Sequence, residues 1–196
     1  MKGYALDGDV IVLHRELTHL DRFVNEFLKI LKKHTDYLLV SGFVSIATGR
    51  PRGTEDVDIL VPLLDKDAFQ RLFTDLLSNG FWCYQGDAAE DADAYFRNLQ
   101  SIRFARNDEL FPNMEVIPIT ERRTAKHFEF THPQRLRIED VEFKIPPPEF
   151  EILYMEIVLK GTKDLEDAKH LRTLFAPLLQ EKRFREYEPI VRGELR

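Results

Sequence analysis

Ser41-Gly42-Phe43-Val44-Ser45-Ile46-Ala47-Thr48-Gly49-Arg50-Pro51-Arg52-Gly53-Thr54-Glu55-Asp56-Val57-Asp58-Ile59-Leu60-Val61 is the most informative stretch of this chain. It ends in Asp56-x-Asp58 running straight into Ile59-Leu60-Val61, the pattern of a strand entering a core. Residues two apart in a strand point to the same face, so the two carboxylates project together. Acids at the mouth of a buried strand are costly unless a charge compensates them. A hard divalent cation supplies that charge, and magnesium accepts carboxylates while keeping phosphate and water as its other ligands. The same spacing recurs at Asp7-Asp9, Asp65-Asp67 and Asp91-Asp93. Those pairs fall in loops or at a helix start, where solvated acids or caps are the simpler reading.

Upstream, Tyr37-Leu38-Leu39-Val40 reads as a short strand closed by Ser41-Gly42, and Phe43 to Thr48 as a short helix ended by Gly49. Glycine lets backbone approach a bound group closely, and helix-start amides attract phosphate. The Ser45 hydroxyl lies one turn further on. Taken alone, Ser41-Gly42 is an ordinary strand-to-helix turn, and Arg52 is as readily a surface arginine as a phosphate ligand. Two aligned carboxylates downstream favour the functional reading of the turn.

The segment Arg52-x-Thr54-x-Asp56-x-Asp58, following a Ser41-Gly42 turn and a short helix, resembles the signature of the nucleotidyltransferase superfamily, the polymerase-beta-like enzymes. Within it, the likeness is to the minimal stand-alone branch that includes abortive-infection-type toxin enzymes. A second stretch of resemblance lies in Ile145-Pro146-Pro147-Pro148-Glu149 and Lys163-Asp164-Leu165-Glu166-Asp167-Ala168. The resemblance implies an α/β (α+β) fold, a mixed β-sheet covered by helices with a C-terminal helical extension. It also implies metal-dependent transfer of a nucleoside monophosphate from a nucleoside triphosphate to a hydroxyl. Asp56 and Asp58 become the catalytic and metal-binding residues, with Mg2+ or Mn2+ as the cofactor. Ser41, Gly42, Ser45, Arg52 and Thr54 become the nucleotide-binding set. The family places a third carboxylate on a later strand, more often Asp. Glu115, embedded in Met114-Glu115-Val116-Ile117, is the candidate, against the plainer reading of an edge-strand acid facing water. The acceptor is open: a small molecule, an RNA end or a protein hydroxyl. The alternative is an inactive binding or regulatory module of the same fold, a partner in a toxin–antitoxin-like pair.

The remaining sequence fits this frame. Helical spacing predicts helices from about Leu17 to Lys33, with Thr18 and Asp21 as a capping box, and from Lys66 to Ser78, with Asn79-Gly80 as its stop. Phe81 to Tyr84, Ile102 to Ala105 and Met114 to Ile119 read as strands, and Gln85 to Asp93 as an acidic loop. A helix from Thr120 to His127 precedes a hairpin turning at Glu139-Asp140. Pro146-Pro147-Pro148 marks the one clear break, giving a core over residues 1–145 and a helical segment over 146–196. The latter holds helices from about Glu149 to Leu159 and Asp164 to Leu179, then a charged tail.

A net charge of -6 gives no support to long nucleic acid as a partner, and the basic clusters at Arg122-Arg123-Lys126 and Lys182 to Arg185 read as solvated surface. The single cysteine, Cys83, excludes an internal disulfide and a cysteine-rich zinc site. None of the six histidines pair at zinc-ligand spacing. No apolar run reaches the ~20 residues of a membrane span, and Asp7 falls where a signal peptide would be apolar. The expected location is the cytoplasm.

Overall fold

Alternation and helical periodicity set most of the element boundaries in the computed structural model, which describes residues 3–195. Met1, Lys2 and Arg196 lie outside the described residues. The chain opens on a hairpin, β1 (Tyr4–Asp7) and β2 (Val10–Leu13), turning at Gly8 with φ +61°. Three of the four β1 positions are exposed, so the strand carries almost no periodicity to read. Helix α1 (His19–Leu31) starts at the expected capping box. There the Asp21 amide donates to Thr18 Oγ1 at 3.2 Å, and the Thr18 amide to the Asp21 carboxylate at 2.7 Å.

Next come β3 (Leu38–Leu39), α2 (Gly42–Ala47), β4 (Asp56–Pro62) and α3 (Lys66–Ser78). Asp65 caps α3, accepting the Ala68 amide at 2.8 Å. Beyond it lie β5 (Phe81–Cys83), α4 (Ala89–Arg97), β6 (Ile102–Arg106) and β7 (Asn113–Ile119). The loop expected up to Asp93 is therefore helical from Ala89. Ala89, Ala92 and Phe96 give it a buried face, and Arg97 pairs with Asp93 one turn back at 2.7 Å.

The C-terminal part runs through α5 (Thr124–Thr131), β8 (Gln134–Ile138), β9 (Val141–Ile145) and α6 (Pro148–Tyr154). Helix α6 continues as a π-helical turn over Met155–Leu159, followed by α7 (Thr162–Phe175) and α8 (Glu181–Gly193). Helix α5 starts four residues later than its expected first residue, Thr120. The expected charged tail is α8: Phe184, Tyr187 and Ile190 pack beside buried Val191 against Phe150, Leu153 and Tyr154. Its other face is laced with ion pairs one turn apart, such as Arg192–Glu188 at 2.7 Å.

These elements sort into two compact units, each interrupted in sequence. One consists of Leu17–Tyr37 and Gly53–Thr120. Within it β4, β7, β6 and β5 lie side by side in that order, β4 parallel to β7 and the rest antiparallel. Helices α1, α3 and α4 supply phenylalanines to its core. Phe27 meets Phe81 edge-on at 5.4 Å, Phe69 lies 5.0 Å from Phe96, and Phe73 meets Phe104 at 5.9 Å. Cys83 fills the same core as expected, and burial pushes its thiol up to about 11, leaving it unreactive.

The other unit spans residues 3–16, 38–52 and 121–195. Its sheet runs β1-β2-β8-β9, with β2 parallel to β8 and both hairpins antiparallel. Phe43 of α2 packs on Phe143 of β9 at 5.5 Å. Lys126, read from sequence as solvated, is buried: its Nζ lies 2.9 Å from Glu129 and 3.8 Å from the centre of the Tyr154 ring. A lysine so placed keeps its charge because the carboxylate and the ring face both favour the ammonium. Among the described residues no helix is long and apolar enough to cross a membrane.

Phe104 touches both Phe27 and Phe73 at the centre of its unit. Replacing it by alanine should cost about 3–5 kcal/mol, the usual penalty for emptying a buried aromatic site. Urea unfolding followed by circular dichroism measures this, and a loss under about 1 kcal/mol would show that the ring is not a core residue.

Candidate functional site

The acidic end of β4 is built by alternation. Asp56 and Asp58 are half-buried, and Val57 between them is wholly buried. Both carboxylates therefore share a face, as the sequence requires. Thr54 Oγ1 donates to the Asp56 carbonyl oxygen at 2.7 Å and shapes the entry to the strand. On β7, Asp58 is in register with Glu115 and Asp56 with Asn113. Asn113 is itself fixed by donating to the Glu55 carbonyl from its side chain at 3.0 Å.

Glu115 is thus brought alongside Asp58, but both of its oxygens are occupied. Ser101 Oγ donates to Oε1 and the Arg103 guanidinium to Oε2, each at 2.6 Å. Asp56 and Asp58 offer the oxygen donors a hard divalent cation takes, and on that chemistry the pair fits one. Among the described residues no group of three His, Cys, Asp or Glu side chains is gathered closely enough to hold a metal. Glu115, the candidate third acid, faces its arginine and serine.

The Ser41-Gly42 turn belongs to the other unit. Ser41 has φ +58° and ψ -134°, a conformation that a residue with a Cβ resists. Its amide donates to Glu151 Oε1 at 2.8 Å, and Glu151 is a buried carboxylate on α6. Gly42 has no room for a side chain: a Cβ there would lie 2.8 Å from an Arg52 guanidinium nitrogen. Arg52 is held in that position by Asp167 of α7, which also receives Arg50, and Arg50 reaches Glu166 as well. Asp167 has no exposure to water at all. Ser45 is also enclosed within α2, and its hydroxyl has no hydrogen-bond partner.

The sequence did not single out Asp167, Glu151, Arg103 or Ser101 as site residues. For Asp167 a signal existed, since it stands in the Lys163-Asp164-x-x-Asp167 stretch. Asp164 Oδ2 accepts the Gly161 amide at 3.1 Å and starts α7, while Asp167, one turn further, clamps the two arginines. Arg103 and Ser101 carry no such signal, because their place beside Glu115 follows from the pairing of β6 with β7.

No family model matches this chain, and no curated protein sequence matches it. Solved structures do. ANT(2'')-Ia, crystallised in complex with adenylyl-2''-tobramycin, aligns over 91% of this chain and 100% of its own, with 11% identity and a TM-score of 0.50. An antigenic nucleotidyltransferase-like protein from Paracoccidioides brasiliensis aligns over 90% of this chain and 95% of its own, with 15% identity and a TM-score of 0.49. The solution structure of the antibiotic-resistance factor ANT(2'')-Ia covers 89% and 91%, with 10% identity and a TM-score of 0.48. At these identities the likeness is one of fold. The chain has a mixed α/β fold, as expected, and shares it with ANT(2'')-Ia.

The Ser41 backbone sets up a test of the turn. A non-glycine residue in a sparsely populated region costs about 1–3 kcal/mol, whereas glycine gives back roughly 0.5–1 kcal/mol through its freer unfolded chain. The first effect is larger, so Ser41→Gly should stabilise the protein by about 1 kcal/mol in thermal or urea unfolding. A destabilised variant would mean that the serine side chain contributes something the geometry does not reveal.

Proposed function

We propose that this protein is a nucleotidyltransferase that moves a nucleoside monophosphate from a nucleoside triphosphate to a hydroxyl acceptor in a metal-dependent reaction. The observation that carries the reading is the pair Asp56 and Asp58, set on one face at the entrance of the buried strand β4. The fold shared with ANT(2'')-Ia, crystallised in complex with adenylyl-2''-tobramycin, supports the same class of reaction.

In this reading Asp56 and Asp58 hold Mg2+ or Mn2+, and Glu115 is the third carboxylate of the catalytic set. Bound there, the cation supplies charge neutralisation for the triphosphate and acidifies the acceptor hydroxyl. The protein's own part is positioning and electrostatics. Thr54 keeps the approach to β4 in place, so that Asp56 stays aligned with Asp58. Of the Ser41-Gly42 turn, Gly42 is left to offer its amide to phosphate, since the Ser41 amide already donates to Glu151. Arg52 brings positive charge to the same turn, its guanidinium fixed by Asp167. The acceptor hydroxyl loses its proton to solvent and its oxygen bonds to the α-phosphorus as the bond from that phosphorus to the oxygen bridging the β-phosphate breaks, and pyrophosphate leaves.

Isothermal titration with each of the four nucleoside triphosphates, with magnesium and with EDTA, tests this. Binding should require the metal. Asp56→Asn should weaken it at least tenfold and leave the melting temperature in EDTA unchanged or raised, because one of two neighbouring acids has lost its charge. Binding that ignores both metal and substitution, or a variant that no longer folds, would make the pair structural.

A further inference from the structure

The acidic end of β4 continues across the sheet as a row of charges. Asp58 on β4 is in register with Glu115 on β7, and Glu115 is in register with Arg103 on β6. Register partners on neighbouring strands point to one face and stand about 4.8 Å apart, so the row reads minus, minus, plus. Like charges placed directly opposite repel. The arginine at the end of the row offsets that repulsion, and it does so by binding the middle member. Its guanidinium takes Oε2 at 2.6 Å while Ser101 takes Oε1.

We propose that Arg103 competes with a divalent cation for Glu115, so that Glu115 joins Asp56 and Asp58 as a metal ligand only when Arg103 is displaced. This rests on the metal-site reading of Asp56 and Asp58 given above. Three observations carry it. The register places Glu115 beside Asp58, where a ligand to the same cation would have to stand. Both Glu115 oxygens are committed elsewhere, so the third ligand is present in sequence and withheld in space. Finally, the arginine side chain is 38% exposed and its carboxylate partner 16%.

Exposure makes the pair breakable. An ion pair whose arginine is partly open to water separates at lower cost than a wholly buried one, since water compensates the guanidinium as it leaves. A doubly charged cation at Asp58 attracts Glu115 and repels the guanidinium at the same time. The Arg52–Asp167 pair shows the opposite case, because the carboxylate there has no exposure and cannot be released to solvent. Arg103 is thus a positioning residue acting through Glu115, and it sets how tightly the resting protein holds metal.

The test is Mn2+ binding to the full chain without nucleotide, followed by the paramagnetic resonance signal of the free ion. Arg103→Gln should bind Mn2+ at least tenfold more tightly than the unaltered protein. That gain should vanish in Arg103→Gln combined with Glu115→Gln, and Arg103→Lys should restore the original affinity. Ser101→Ala, a small change that leaves the ion pair in place, should tighten binding by a smaller factor and serves if Arg103→Gln does not fold. Equal affinity in all single variants, or a gain that persists without Glu115, overturns the competition. Asp56→Asn in the same titration separates the two levels. Binding lost with Asp56→Asn but indifferent to Arg103→Gln and Ser101→Ala keeps the metal site and rejects the role of Arg103. Absence of Mn2+ binding in the unaltered protein, Arg103→Gln and Ser101→Ala alike rejects both.

Discussion

A carboxylate wholly removed from water, Asp167, lies against two guanidinium groups, and the geometry of one unit follows from that pairing. A buried charge without a partner would cost several kcal/mol, so Arg50 and Arg52 are not free to move off α7. Once Arg52 is fixed, its guanidinium lies over Gly42 and excludes any side chain there. The preceding residue takes the left-handed φ of Ser41, and Glu151 receives its amide. Asp167, Arg50, Arg52 and Gly42 are thus tied together by one buried charge, next to the turn whose amide Glu151 receives. The resemblance of the Lys163–Ala168 stretch to nucleotidyltransferases gains a physical content from this: it secures the arginine of the first motif.

Burial decides what each ion pair in this protein can do. Lys126 with Glu129 and Arg52 with Asp167 are closed to solvent on the carboxylate side; the first pair lies within α5 and meets Tyr154 of α6, and the second ties α7 to Arg52. Arg103 with Glu115 has the same chemistry at a more exposed position. Pairs such as Lys182–Glu186 and Arg185–Glu181 on α8 are open on both sides and add little. A count of salt bridges would treat these alike, whereas their accessibility sorts them into anchors, an exchangeable contact and surface decoration.

Most of the fold was legible where one periodicity dominated. Helices α1 and α3 have a full apolar face and recognisable caps, and β4 and β7 alternate around their acids. What escaped had mixed signals. Helix α8 reads as a charged tail because its apolar residues are few and Pro189 interrupts it, and only the Phe150–Tyr154 surface gives them a partner. Helix α4 hides inside an acidic stretch, and β1 buries a single residue. At the candidate site the shared face of Asp56 and Asp58 was visible from a two-residue spacing. The engagement of Glu115 was not, since it depends on which residue of a neighbouring strand stands opposite. Ser45 shows the complementary limit: its place in the motif suggested a ligand, and its enclosure in α2 is a matter of tertiary packing.

The interleaving of the two units has a consequence for biosynthesis. A ribosome delivers the chain from its N-terminus, so the β1–β2 hairpin emerges early. Yet β2 pairs in parallel with β8, from Val10 opposite Arg135 to Leu13 opposite Ile138, and that strand is translated only after the whole second unit. Until then one edge of β2 presents unpaired amides and carbonyls, the template on which strands of separate chains associate. The unit containing Gly53–Thr120 has all its strands once Ile119 is made, whereas its companion waits for α8. The nascent chain therefore holds a finished α/β layer and an orphan hairpin together, which makes the N-terminal edge its point of exposure to chaperones and to self-association during translation.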